Sequence, residues 1–159
     1  MGADLMIRPL FTANYVKHEP NFRHWVRVRD ELLLRGDTRG ADIAQRHVAS
    51  YLDEMYRQGY FRDYYNSVGL LYAFGMSWKD DVAGALTNKQ GKMRCRRARQ
   101  LLKLLAEREP EFELNLRSRT ISKGESRANV TRHYHRRYAQ LKRFLGEAID
   151  RRMAITCSL

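Results

Sequence analysis

Between Asn88 and Arg143 the chain carries 17 Lys and Arg residues against 5 Asp and Glu. Any fold it adopts must keep those cations in water, because an unpaired buried charge is prohibitively costly. The whole 159-residue chain nets +12, and this segment alone accounts for it, since the remaining residues balance at 13 basic against 13 acidic. Each helix in the segment can therefore bury one side only and must present cations on the other.

The spacing of apolar residues supplies helices of that kind. From Lys92 to Arg108, Cys95, Ala98, Leu101, Leu102 and Leu105 recur at helical intervals. Lys92, Arg96, Arg99 and Lys103 form a row at i, i+4, i+7 and i+11 on a different face. A longer helix is expected from Glu125 or Ser126 to about Met153, with Tyr134, Tyr138, Leu141, Leu145 and Ala148 as its seam. At about 100° per residue, Arg132, Arg136 and Arg143 project within about 20° of the direction opposite Tyr134. His133, His135, Arg137 and Lys142 fill the flanks.

The remainder reads as helical too. Leu and Ala number 32 against 18 for Val, Ile and Thr, a balance that favours helix over sheet. The expected fold is an all-α, single-domain helical bundle. Residues 1–19, broken by Arg8-Pro9 and Glu19-Pro20, read as an arm docked on the body. Asn21 is expected to cap a helix reaching Arg35, and Gly36 to stop it. Asp37 caps a second helix closed by Gly59, so residues 21–58 form an αα-hairpin.

Nine of the 17 aromatic residues then fall between Tyr51 and Trp78, so residues 60–86 are read as an aromatic junction of short helices. Its rings plug a junction or, failing that, offer a stacking platform or partner surface. Trp25 and Trp78 are expected in the core. Ser77-Trp78-Lys79-Asp80 has the form of a capping box with Asp in the Glu position. Residues 92–153 form the basic helical part. Within it, Phe112, Leu114 and Leu116 alternate with polar residues, so residues 111–117 are the one expected extended segment.

No arrangement of catalytic residues accompanies the charge. His133 and His135 are two apart and do not face each other on a helix, so they fail as a metal pair. Asp80 and Asp81 are accounted for by the helix dipole. There is no Gly-rich phosphate loop, no Cys–His set and no nucleophile motif. A non-enzymatic protein without cofactor or metal is expected.

The chemistry that remains is phosphate recognition. Cationic rows match regularly spaced phosphates and release condensed counterions. Of the 30 cations 23 are Arg, whose planar fork grips phosphate in bidentate fashion. The expected nucleic-acid-binding residues are Lys92, Arg96, Arg99, Lys103, Arg132, Arg136, Arg137, Lys142 and Arg143. DNA and RNA stay undistinguished, and nothing obviously reads base edges. The alternative is a helical interaction subunit whose basic face meets an acidic protein. With two cysteines 62 positions apart and no apolar run of membrane-spanning length, a cytoplasmic setting without membrane partners is expected.

Overall fold

The computed structural model describes residues 2–159. They are mostly α-helical, with seven α-helices and one small four-stranded sheet. Two compact units are present: Arg8–Tyr60, and Phe61–Leu159 together with the chain start up to Ile7.

The first unit is an αα-hairpin of α1 (Arg8–Leu34) and α2 (Thr38–Met55). The break between them is set by local chemistry. Gly36 takes φ 75°, and the Gly36 and Asp37 N–H groups close back on the carbonyls of Leu33 and Leu32. Asp37 then caps α2 by accepting from the Gly40 N–H at 2.9 Å. Ala41, Ala44, Val48 and Met55 are the buried residues of α2. Asn14 donates from its Nδ2 to the carbonyls of Glu54 and Met55, closing the C-terminal end of α2 from α1.

Residues 2–19 are not an arm, and Met1 lies outside the described residues. Gly2–Met6 is a strand, β1, and α1 begins at Arg8 and runs through Asn21 without interruption. Pro9 sits in the first turn, where its missing N–H would have had no partner. Pro20 leaves the Val16 carbonyl without its usual donor, but both residues are exposed, so the cost of a buried unpaired carbonyl does not arise. Trp25 is not core either. It is half-buried and stacks on His47 at 4.0 Å between ring centroids.

In the second unit β1 is joined by β2 (Tyr60–Tyr64, whose first residue ends the hairpin unit), β3 (Lys92–Met93) and β4 (Ile155–Ser158), in the order β2-β1-β4-β3. β4 runs antiparallel to both β1 and β3, with Leu5 opposite Cys157 and Met93 opposite Ile155. Ala3, Leu5, Ile155 and Cys157 point inward along the two strands. Burial pushes the Cys157 thiol up to about 12, against a weaker opposing hydrogen bond from the Met93 backbone, which makes it an inert packing group.

After α3 (Leu70–Ala73), Trp78–Ala83 is a π-helical stretch that leads into α4 (Gly84–Leu86). Ser77 accepts from the N–H groups of Lys79 and Asp80, as its capping role requires. The carboxylate that reaches back to the Ser77 N–H belongs to Asp81, at 2.7 Å, and not to Asp80. The wider π turn moves the return contact one residue along.

α5 spans Cys95–Glu107, α6 Glu109–Ser118 and α7 Arg127–Asp150. Residues 111–117 are thus helical, not extended. Pro110 occupies the first turn of α6, with Glu109 and Glu111 at its positive end. Phe112 and Leu116 share a buried face at i, i+4, while Leu114 is 64% exposed. Phe112 and Leu116 thus fit either period, and Leu114 is the residue that made the segment look extended.

The aromatic stretch divides. Phe61, Phe74 and Trp78 are buried, whereas Tyr56, Tyr64 and Tyr72 are exposed. Phe74 stacks on Phe112 at 4.3 Å and meets the edge of Tyr138 at 4.9 Å.

Candidate nucleic-acid interface

The two basic helices pack on the seams that their periodicity indicates. Ala98, Leu101 and Leu105 are buried on α5, and Tyr134, Tyr138, Leu141, Leu145 and Ala148 on α7. The start of α5 lies at the end of α7: Cys95 Sγ is 3.7 Å from the carbonyls of both Ala148 and Met153. Just beyond the other end of α5, Tyr138 donates its hydroxyl to Glu109 Oε1 at 2.6 Å. The helices therefore run antiparallel.

The nine expected phosphate ligands do not behave alike. Lys92 lies in β3 and not on α5, because the main chain there pairs with Thr156 before turning into the helix. Lys103 is engaged by Glu107, one turn along, at 3.7 Å. Lys142 places its ammonium 4.1 Å from the centroid of the Tyr138 ring and stays exposed.

Arg137 is committed to the fold. It is half-buried, stands 4.5 Å over the Phe61 ring, and donates to the Arg62 carbonyl and to Gln140. Burial lowers its pKa, with Asp63 and Tyr64 acting in the opposite sense. It holds α7 against β2, so it is a poor candidate for gripping a ligand.

Arg96, Arg99, Arg132, Arg136 and Arg143 are exposed, and none forms an ion pair among the described residues. Arg132 and Arg136 meet at a shallow pocket of about 210 Å³, completed by Asn129 and His133. Burial, followed by the charges of Arg137 and Arg136, keeps the His133 imidazole below its ordinary pKa. Ser126 caps α7 just upstream by accepting from the Asn129 N–H at 3.2 Å, which fixes the first turns that carry this pocket.

A second basic pocket, of about 400 Å³, was not legible as a row. It is lined by Leu86, Thr87, Asn88, Lys92, Arg94 and Arg97. Only Lys92 of these was expected to bind. Arg94 and Arg97 lie on neither helical row, and they come together with Lys92 because the chain changes from turn to strand to helix within a few residues. The sequence signal available was the loop Thr87-Asn88-Lys89-Gln90-Gly91 set directly against a run of cations.

No known protein family, curated protein or solved structure matches the chain. Among the described residues no group of three or more His, Cys, Asp or Glu side chains is placed to hold a metal ion, and no helix is long and apolar enough to cross a membrane.

Proposed function

We propose that the protein binds nucleic acid through the phosphate backbone, using α5 and α7, without sequence readout and without catalysis. The observation that carries this reading is the set of five exposed arginines with no acidic partner, two of them sharing a pocket with Asn129 and His133. Arginines on a surface rich in acids would normally be compensated, and exposed ion pairs do form elsewhere, as between Arg23 and Glu19 or Arg57 and Glu54. Five arginines without an acidic partner, on the two helices of the segment that carries the chain's net charge, suit a ligand that brings its own negative charge at regular intervals. Arg96, Arg99, Arg132, Arg136 and Arg143 are the working set, with Lys103 and Lys142 at the margins. A cytoplasmic setting accords with two unpaired thiols, Cys95 and Cys157.

The test is a salt series on mixed-sequence DNA and RNA. Arg132→Ala, Arg136→Ala and Arg143→Ala combined should weaken binding and shallow the dependence of log K on log salt by about one unit per lost phosphate contact. Stability should hardly change, because exposed charges contribute weakly. An unchanged slope in the triple variant would remove α7 from the interface.

A second reading is a helical subunit of a larger assembly that meets an acidic protein. It is favoured by α1, of whose 27 residues only Asn14 is buried, and by the exposure of Leu33, Leu34 and Ile43. Weak binding to both nucleic acids across the whole salt range would favour it.

A further inference from the structure

The pocket at the entrance to α5 presents hydrogen-bond donors and cations with no acid among its lining residues. Lys92 and Arg94 have no side-chain partner among the described residues, and Arg97 spends one nitrogen on the neutral Gln100, at 2.9 Å. Asn88 is turned so that its Oδ1 accepts from the N–H groups of Gln90 and Lys92, at 3.0 and 2.8 Å. Its Nδ2 makes no hydrogen bond among the described residues, and Asn88 lines the pocket. Thr87 donates its hydroxyl to the Ala83 carbonyl at 2.7 Å, so toward a ligand it is already a satisfied group. The charge offered by the lining is three positive and none negative.

The turn that carries Asn88 and Lys92 is held in place before any ligand arrives. The Asn88 N–H donates to the Lys92 carbonyl and the Gly91 N–H to the Asn88 carbonyl, closing the turn on itself. The Gly91 carbonyl accepts from the Cys157 N–H at 2.7 Å, which ties the turn to β4. Gly91 takes φ 67°, and a Cβ there would stand 2.8 Å from the Cys157 carbonyl oxygen, so the close approach admits glycine alone. Leu86 is fully buried beneath. A rigid turn spares the ligand the cost of ordering its own binding site.

We infer that this pocket binds a phosphomonoester dianion, the terminal phosphate of a nucleic-acid strand. The inference rests on the reading above that the ligand is nucleic acid. A phosphodiester carries one charge and two free oxygens, and the spaced arginines of α7 meet such groups one at a time. A terminal phosphate carries close to two charges near neutral pH and three free oxygens. Three converging cations and an amide donor match that group in charge and in number of contacts. Arg94 also leaves the start of α5 without a side-chain cap, so the same anion would lie near the helix's positive end.

Asn88→Asp gives the sharpest test on the full-length protein. It keeps the carbonyl-type oxygen that accepts from Gln90 and Lys92, so the turn stays closed, but it removes the donor and adds a negative charge. Affinities would be measured at fixed ionic strength for one oligonucleotide sequence with a 5′-phosphate, with a 3′-phosphate and with neither. Inorganic phosphate alone would be titrated in parallel, read by the amide resonances of Lys92, Arg94 and Arg97.

One phosphorylated end should bind on the order of tenfold tighter than the hydroxyl form, the worth of one charged hydrogen bond. Asn88→Asp should erase that preference while leaving the hydroxyl form's affinity nearly unchanged. Equal binding of all three oligonucleotides by the unaltered protein would overturn the inference and leave the backbone-binding reading standing. Binding of inorganic phosphate that Asn88→Asp abolishes, with no oligonucleotide bound, would uphold a phosphate pocket and refute nucleic acid as its source. Silence toward every probe would sink both.

Discussion

Asp63 is a buried carboxylate in the second unit that joins three separate stretches of chain. It is 2% exposed, and its carboxylate accepts from the N–H groups of Leu70 and Leu71 at 2.8 and 3.1 Å and from Trp78 Nε1 at 2.7 Å. In this way β2 caps the start of α3, whose own N-cap, Gly69, has no side chain to offer. The same carboxylate fixes the indole of Trp78, and its charge works against the lowering of the Arg137 pKa by burial. An apolar replacement would orphan three buried donors at roughly 1–3 kcal/mol each. Asp63→Ala should therefore destabilise by about 3 kcal/mol or more, read as a shift in the urea midpoint at constant m-value. A midpoint within error of the original would mean that water substitutes for the carboxylate. Nothing local in the sequence distinguishes Asp63, because its partners lie seven, eight and fifteen positions away.

At the scale of elements, the long periodic helices were legible and the short or ambiguous ones were not. α5 and α7 run long enough for period 3.6 to separate a seam from a charged face, and their buried residues are the ones the spacing indicates. The strands of four or five residues at β1 and β4 do alternate, Ala3 with Leu5 and Ile155 with Cys157. Their partners are some 150 positions apart, so no local turn announces the pairing. The prolines misled in the other direction, since a first-turn Pro9 and a solvent-facing Pro20 do not carry the penalty of a buried one. The basic pocket beside β3 escaped for a related reason: a two-residue strand displaced Lys92 from the helical row and set it against Arg94 and Arg97. α6 offers a direct check. As a helix it buries Phe112 and exposes Leu114, whereas a strand would put both on one face. Leu114→Lys should thus be nearly neutral, while Phe112→Ala should cost about 3–5 kcal/mol through the cavity left against Phe74 and Tyr138. Comparable losses in chemical denaturation from both substitutions would contradict the helical assignment.

Over the whole molecule, charge and burial are divided along the same line. The hairpin unit carries 9 basic and 7 acidic residues, while the second unit carries 21 and 11. The excess that suits a polyanion therefore belongs to the second unit, which also holds the large buried side chains Trp78, Phe74, Phe112, Leu101 and Leu105. The hairpin's buried apolar residues are Ala41, Ala44, Val48 and Met55, and three of those four side chains are small. At about 25 cal/mol per Å² of apolar surface, so small a core supplies much less stabilisation than the other. Amides of α2 should accordingly exchange with solvent through a partial opening, at a free energy below that of Leu141, Leu145 and Ala148 on α7. The gap should be about 2 kcal/mol or more, the worth of burying one large side chain. Native-state hydrogen exchange followed across a denaturant series reads both values directly. If the α2 and α7 amides merge onto one isotherm at low denaturant, the hairpin opens only with the rest of the chain, and its small core has been underestimated.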